Sequence, residues 1–152
     1  ISGSYKISDK DTIFGSATIG DAIGLYISDT RGYSIFVDHK SDDFSDFKLK
    51  SQSAFGAVAG IRHIWSKKYN LRSTVTAGYT HIGICDAFKQ AIALSKNHLE
   101  VTRKLFSVVG NIAMNPFPKL VLALEYGYGK KSLLDRRSAN CQYFLFDTRL
   151  SF

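Results

Sequence analysis

The chain has 152 residues, 45% of them hydrophobic and 22% charged, with a formal net charge of +7. No run approaches the ~18 to 20 consecutive apolar residues of a transmembrane helix, which argues against a helical membrane protein but leaves crossing by strands open, since barrel strands alternate and look only mildly hydrophobic. Aromatic residues at 13%, 12 glycines and 2 prolines suit a β-rich chain. The chain opens Ile1-Ser2-Gly3-Ser4, without Met or a signal peptide, as expected of a processed protein or of a piece of a longer one.

The first fifty residues carry weak patterns. Strands are expected at Thr12 to Ile19 and Tyr33 to Lys40, a turn at Gly20 to Gly24, and a polar, acidic loop at Ser41 to Lys50. From Gln52 the two-residue alternation becomes clear. Gln52 to Trp65 sets Phe55, Ala57, Ala59, Ile61 and Trp65 against Gly56, Val58, Gly60, Arg62 and Ile64, with His63 interrupting the apolar set. Ser66 to Asn70 is a short turn. Leu71 to Gly83 sets Leu71, Val75, Ala77 and Tyr79 against Arg72, Thr74, Thr76 and Gly78.

Leu99 to Met114 sets Phe106, Val108, Ile112 and Met114 against Arg103, Leu105, Ser107, Val109 and Asn111. Two prolines make Asn115 to Lys119 a turn, because proline has no N–H to give a ladder. Lys119 to Lys131 sets Leu120, Leu122, Leu124, Tyr126 and Tyr128 against Val121, Ala123, Glu125, Gly127, Gly129 and Lys131. Leu133 to Asn140 reads as a loop. The closing strand, Cys141 to Phe152, sets Phe144, Phe146, Thr148, Leu150 and Phe152 against Tyr143, Leu145, Asp147, Arg149 and Ser151.

About seven strands result, joined by connections that are short after Trp65 and Met114 and longer at Ser41 to Lys50, Ile84 to Asn97 and Leu133 to Asn140. Outer-membrane barrels have this asymmetry, with short periplasmic turns and long extracellular loops. The fold expected is all-β: an antiparallel transmembrane meander over residues 1–152, incomplete at its N-terminus.

On that reading one face meets lipid and the other a lumen. The lumen set is Arg62, Arg72, Arg103, Glu125, Lys131, Asp147 and Arg149, five cations against two anions. Such a lining can pass anions; alternatively Arg149 pairs with Glu125 or another carboxylate in structural ladders inside a filled barrel. Trp65, Tyr69, Tyr79, Tyr126, Tyr128 and Phe152 suit the aromatic girdles at the membrane interfaces. Alternating Phe144, Phe146, Leu150 and Phe152 resemble the C-terminal signal by which barrel proteins are recognised by their insertion machinery. Cys85 and Cys141 fall on the long-loop side, as a bridge or as two thiols.

No catalytic residues, metal site or cofactor are expected. His39, His63, His81 and His98 are scattered without metal spacing, and neither G-x-S-x-G nor a glycine-rich phosphate loop occurs. Basic residues come about one per strand, which disfavours nucleic acid as a partner.

Gly60-Ile61-Arg62-His63-Ile64-Trp65 with Leu71-Arg72-Ser73-Thr74 resembles a strand-turn-strand of DcaP-like porins. So do Asn115-Pro116-Phe117-Pro118-Lys119-Leu120, Leu124 to Lys131 and the Arg149 to Phe152 ending. Gly20-Asp21-Ala22-Ile23-Gly24-Leu25-Tyr26 is a more divergent likeness. The resemblance spans roughly residues 16 to 152. It implies the C-terminal half of a trimeric sixteen-stranded outer-membrane channel for small anionic solutes such as dicarboxylates, in contact with the bilayer, lipopolysaccharide and the barrel-assembly machinery. A self-contained eight-stranded barrel with a structural or adhesive role is the alternative, and a soluble β-sandwich a third.

Overall fold

The computed structural model describes residues 1–21, 35–39, 47–84, 89 and 102–151. Nine strands form among them: β1 Ser2–Lys6, β2 Asp11–Asp21, β3 Ile35–His39, β4 Phe47–Ser51, β5 Ser53–Ser66, β6 Leu71–Ile82, β7 Thr102–Phe117, β8 Leu120–Leu133 and β9 Ser138–Leu150. Seven of them make one antiparallel sheet in the order β1-β2-β5-β6-β7-β8-β9, while β3 and β4 pair as a separate hairpin. β2 and β5 to β9 have 11 to 16 residues each, enough to cross a membrane, which takes ~9 to 11 tilted residues. Among the described strands β1 and β9 are the two edges of the sheet.

Several expected boundaries shift. Gly20 and Asp21 do not turn; they continue β2 opposite Ala54 and Ser53. Phe47 to Lys50, expected as the end of a loop, belong to a strand that pairs with β3, and of the strand expected at Tyr33 to Lys40 the described part, Ile35–His39, lies in this hairpin. The polar segment Ser2–Lys6, unassigned from its pattern, pairs with β2. The loop after β8 is shorter than expected, because Ser138 to Asn140 already belong to β9.

The turn at Asn115 to Lys119 is also shorter. β7 runs on to Phe117, with its register against β8 shifting between Met114 and Phe117. Pro116 sits in that irregularity, where its missing N–H removes no ladder bond. Asn115 N–H instead donates to Tyr69 O at 2.7 Å, and Asn70 Nδ2 donates to Asn115 Oδ1 at 3.0 Å. Asn70 closes the β5–β6 turn at φ 45°, a left-handed conformation that asparagine tolerates. The β8–β9 turn is held by Asp135, whose carboxylate accepts from Arg137 N–H at 3.0 Å and Arg137 Nε at 2.5 Å. Those two bonds hold its pKa below the ordinary carboxylate value.

Short turns join β1 to β2, β5 to β6 and β7 to β8, and Leu150 ends beside them at Leu120. The longer connections, β2 to β5 and β6 to β7, leave from the opposite end, but the β8–β9 turn there has four residues, as short as the β1–β2 and β5–β6 turns, so the long loop expected at Leu133 to Asn140 is not formed. One face of the sheet is apolar, and its side chains are exposed: Trp65 60%, Val75 50%, Leu124 49%, Phe144 76% and Phe146 67%. In water such a face would be a severe aggregation hazard; against lipid it is stable.

The apolar band crosses the strands obliquely. On the long-loop side its border runs through Ile19 and Phe55, which are cross-strand partners, then Tyr79 and Phe106, partners two residues nearer the short turns. It continues to Tyr128, the partner of Val108, and to Phe144, the partner of Tyr126. The other border falls in the same way, from Ile13 on β2 to Leu150 on β9. Each border descends by three two-residue ladder steps across five strand spacings. That is about 20 Å along the strands against about 24 Å across them, so strands tilt by about 40° from the normal of the apolar belt, the tilt of a membrane barrel. Five aromatic side chains, Phe55, Tyr79, Phe106, Tyr128 and Phe144, line the upper border.

Candidate functional site

The opposite face of the sheet is polar and built from small residues. Gly56, Gly60, Gly78, Gly127 and Gly129 lie on it together with Thr74, Thr76 and Ser107. Two aromatic rings lie across it on directly paired glycines. A Cβ on Gly60 would come within 2.5 Å of the Phe14 ring, and one on Gly127 would overlap the Tyr143 ring. The glycines therefore let each ring lie flat on the neighbouring strand, which pins the register there.

Toward the short turns this face carries a charged concavity of about 360 Å³, lined by Arg62, Arg72, Asn111, Glu125, Asp147 and Arg149 among others. The ladders explain the grouping. Arg62, Thr74, Asn111, Glu125 and Leu145 form one row across β5 to β9, and Arg72, Ala113, Ala123 and Asp147 form the next. Small residues on β7 and β8 leave room between cations on β5 and β6 and carboxylates on β8 and β9.

Each carboxylate is already engaged. Arg149 Nε donates to Asp147 Oδ2 at 2.7 Å, two residues along the same strand. Tyr143 Oη donates to Glu125 Oε1 at 2.9 Å. Of the partners expected for Arg149, Glu125 or another carboxylate, it takes the other, Asp147, on its own strand rather than across neighbouring ones. Arg72 Nη1 donates to neutral acceptors, Asn70 O at 3.2 Å and Asn115 Oδ1 at 3.3 Å. Arg62 makes no hydrogen bond or ion pair among the described residues. Three guanidinium groups against two occupied carboxylates leave the concavity with one net positive charge.

Two residues of the expected lumen set lie elsewhere. Lys131 is on the same face but six residues from Glu125 toward the long loops, paired with Leu105 and Ala139. Arg103 occupies a bulge: Thr102 pairs with Leu133 and Lys104 with Ser132, leaving Arg103 unpaired between them. The bulge breaks the alternation that would align Arg103 with Leu105. Lys104 beside it pairs with His81 on the apolar face.

Of the expected girdle, Trp65 and Tyr69 lie at the short-turn end, where Trp65 Nε1 donates to Ser73 Oγ at 3.0 Å and Lys68 Nζ stands 5.1 Å from the Tyr69 ring centroid. Beside them His63 Nδ1 and Asp11 Oδ1 are 2.6 Å apart, on the edge of the apolar band. Tyr128 lies on the upper aromatic border. Tyr126 sits one ladder inside it, its ring 4.8 Å from that of Phe144. Phe144, Phe146 and Leu150 line the apolar face of β9; Phe152 is outside the described residues. Cys141, expected at the start of the closing strand, is an exposed free thiol within β9, and Cys85 lies outside the described residues.

The Tyr143 contacts make a prediction. Tyr143→Phe keeps the ring over Gly127 and loses only the bond to Glu125, so stability measured by urea unfolding in phospholipid vesicles should fall by no more than about 1 kcal/mol. Gly127→Ala must displace the ring and should cost more, about 1–3 kcal/mol. The reverse order would mean that the ring does not pack on Gly127.

A tilted antiparallel meander with an apolar belt, an aromatic border and a polar opposite face is the sheet of a transmembrane β-barrel. No protein-family model matches the sequence, and no curated protein matches it. Among solved structures the chain is similar to the outer membrane channel DcaP of Acinetobacter baumannii, with a TM-score of 0.74 and 18% identity over 99% of this chain and 39% of that one. The fold is that of a DcaP-like porin barrel, of which this chain spans about two fifths of the length.

Proposed function

We propose that this chain is part of a passive outer-membrane porin whose polar face lines a water-filled pore that prefers small anions, dicarboxylates among them. Further strands beyond β1 and β9 complete the barrel, which assembles as a trimer. The likeness to an outer-membrane channel supports the porin role. The observation that carries the anion preference is the charged concavity: Asp147 is paired with Arg149 and Glu125 with the neutral Tyr143 hydroxyl, while Arg62 and Arg72 form no ion pair, which leaves one net positive charge. Fixed cations in a pore attract anions, and two guanidinium groups on neighbouring strands suit a solute with two carboxylates. The protein works as a conduit, not an enzyme. Its C-terminal segment, with Phe144, Phe146, Leu150 and Phe152, carries the signal read by the barrel-assembly machinery.

Reversal potentials of the full-length protein in planar bilayers under a salt gradient test this. The sign should report anion preference, and Arg62→Gln should lower it measurably. A cation-selective wild type would refute the proposal.

A further inference from the structure

We propose that the strip of the apolar face just beyond its aromatic border binds phosphate groups of a glycolipid headgroup, the kind carried by the lipid A of lipopolysaccharide. The inference rests on the membrane reading above and assigns a partner to residues that the pore does not use. Lys104 and Lys130 share the face of Phe106 and Tyr128. Lys104 is two residues beyond Phe106 along β7, and Lys130 two residues beyond Tyr128 along β8. Both cations are exposed. The bulge adds a third cation, Arg103, next to Lys104.

Three features separate this strip from an ordinary solvated surface. The first is position. It follows the oblique aromatic border, so it lies at headgroup depth and points away from the pore. The second is the lack of partners: Arg103, Lys104 and Lys130 make no hydrogen bond or ion pair among the described residues. At the short-turn end Lys6 is paired with Asp9 at 2.9 Å, but the side chains of Lys10, Lys67 and Lys119 are as unpaired among the described residues, so this feature counts only together with the position and the company of the cations. The third is the company of these cations. Ladder neighbours on the strip are hydrogen-bonding and uncharged, Ser132 beside Lys104 and Asn140 beside Lys130, and no carboxylate stands on this part of β6 to β9. Flexible lysines flanked by neutral donors match a phosphate on a sugar. With long loops outside, this leaflet is the one built from phosphorylated glycolipid.

The test uses the purified full-length protein in detergent micelles, with native mass spectrometry counting bound bis-phosphorylated lipid A and its dephosphorylated form. The phosphorylated form should bind at least tenfold more tightly. Lys104→Gln with Lys130→Gln should weaken it about twenty-fivefold, fivefold per lysine at about 1 kcal/mol each. Lys67→Gln with Lys68→Gln, the same change of charge at the other end, should leave it unchanged. Equal binding of the two lipids, or equal loss in the two double variants, would overturn the assignment. Wild type that fails to insert into phosphatidylcholine vesicles would overturn this proposal and the membrane reading together; insertion without phosphate preference would overturn this proposal alone.

Discussion

Leu124→Arg should destabilise the protein by about 2–4 kcal/mol in phospholipid vesicles, the cost of a cation on the lipid face of a barrel near the bilayer midplane, whereas Leu145→Arg should cost well under 1 kcal/mol. The two leucines form a matched pair. They are similarly exposed, at 49% and 52%, and sit on adjacent strands one ladder step apart, since Leu124 pairs with Phe146 and Leu145 with Glu125. They differ in face. Leu124 lies midway along the apolar stripe of β8, between Leu122 and Tyr126. Leu145 is on the polar face, where an arginine would meet water and the Glu125 carboxylate. Urea unfolding of the full-length protein in phosphatidylcholine vesicles, followed by far-UV circular dichroism, reads both values. Equal costs would mean that the two faces share one solvent, and the lipid assignment of the apolar face would fall.

The alternation that separates those two leucines is visible in the sequence, because the side-chain period of a strand is two wherever the strand is regular. β5 to β9 were therefore legible, faces included, and the grouping of Arg62, Arg72, Glu125, Asp147 and Arg149 followed from parity plus short turns that fix register. Arg103 shows where this reasoning stops. A bulge adds one residue to one strand, and every residue on its far side changes parity. Nothing in Thr102-Arg103-Lys104 announces that. β1 was missed for a different reason: Ser2-Gly3-Ser4-Tyr5-Lys6 has too few apolar residues to show a period, and only its pairing with β2 makes it a strand. The aromatic border depends on tilt. Phe55, Tyr79, Phe106, Tyr128 and Phe144 occupy different positions along their strands, so they align only when the ladders are known. A usable signal was present in part, since Phe106 and Tyr128 each stand two residues from a lysine on the same face.

Replacing both Arg62 and Arg72 with Glu should reverse the ion selectivity of the full-length channel. The concavity holds three arginines and two carboxylates, a net of +1; after substitution it holds one arginine and four carboxylates, a net of −3. At about 10 Å in a water-filled passage each unit charge contributes about 0.4 kcal/mol to a passing ion. A swing of four charges therefore changes the anion-to-cation preference on the order of tenfold or more, enough to change the sign of the reversal potential. Arg72→Glu alone should achieve less, because Arg72 is turned toward Asn70 O and Asn115 Oδ1, while Arg62 has no competing partner. Arg103→Glu should leave selectivity almost untouched, because that residue lies eight positions along β7 from Asn111, at the end of the sheet away from the concavity. The three variants therefore rank by place in the sheet rather than by charge, since Arg72→Glu and Arg103→Glu make the same change. Equal effects of those two single reversals would show that net charge alone sets selectivity and that the concavity is not where passing ions are sorted.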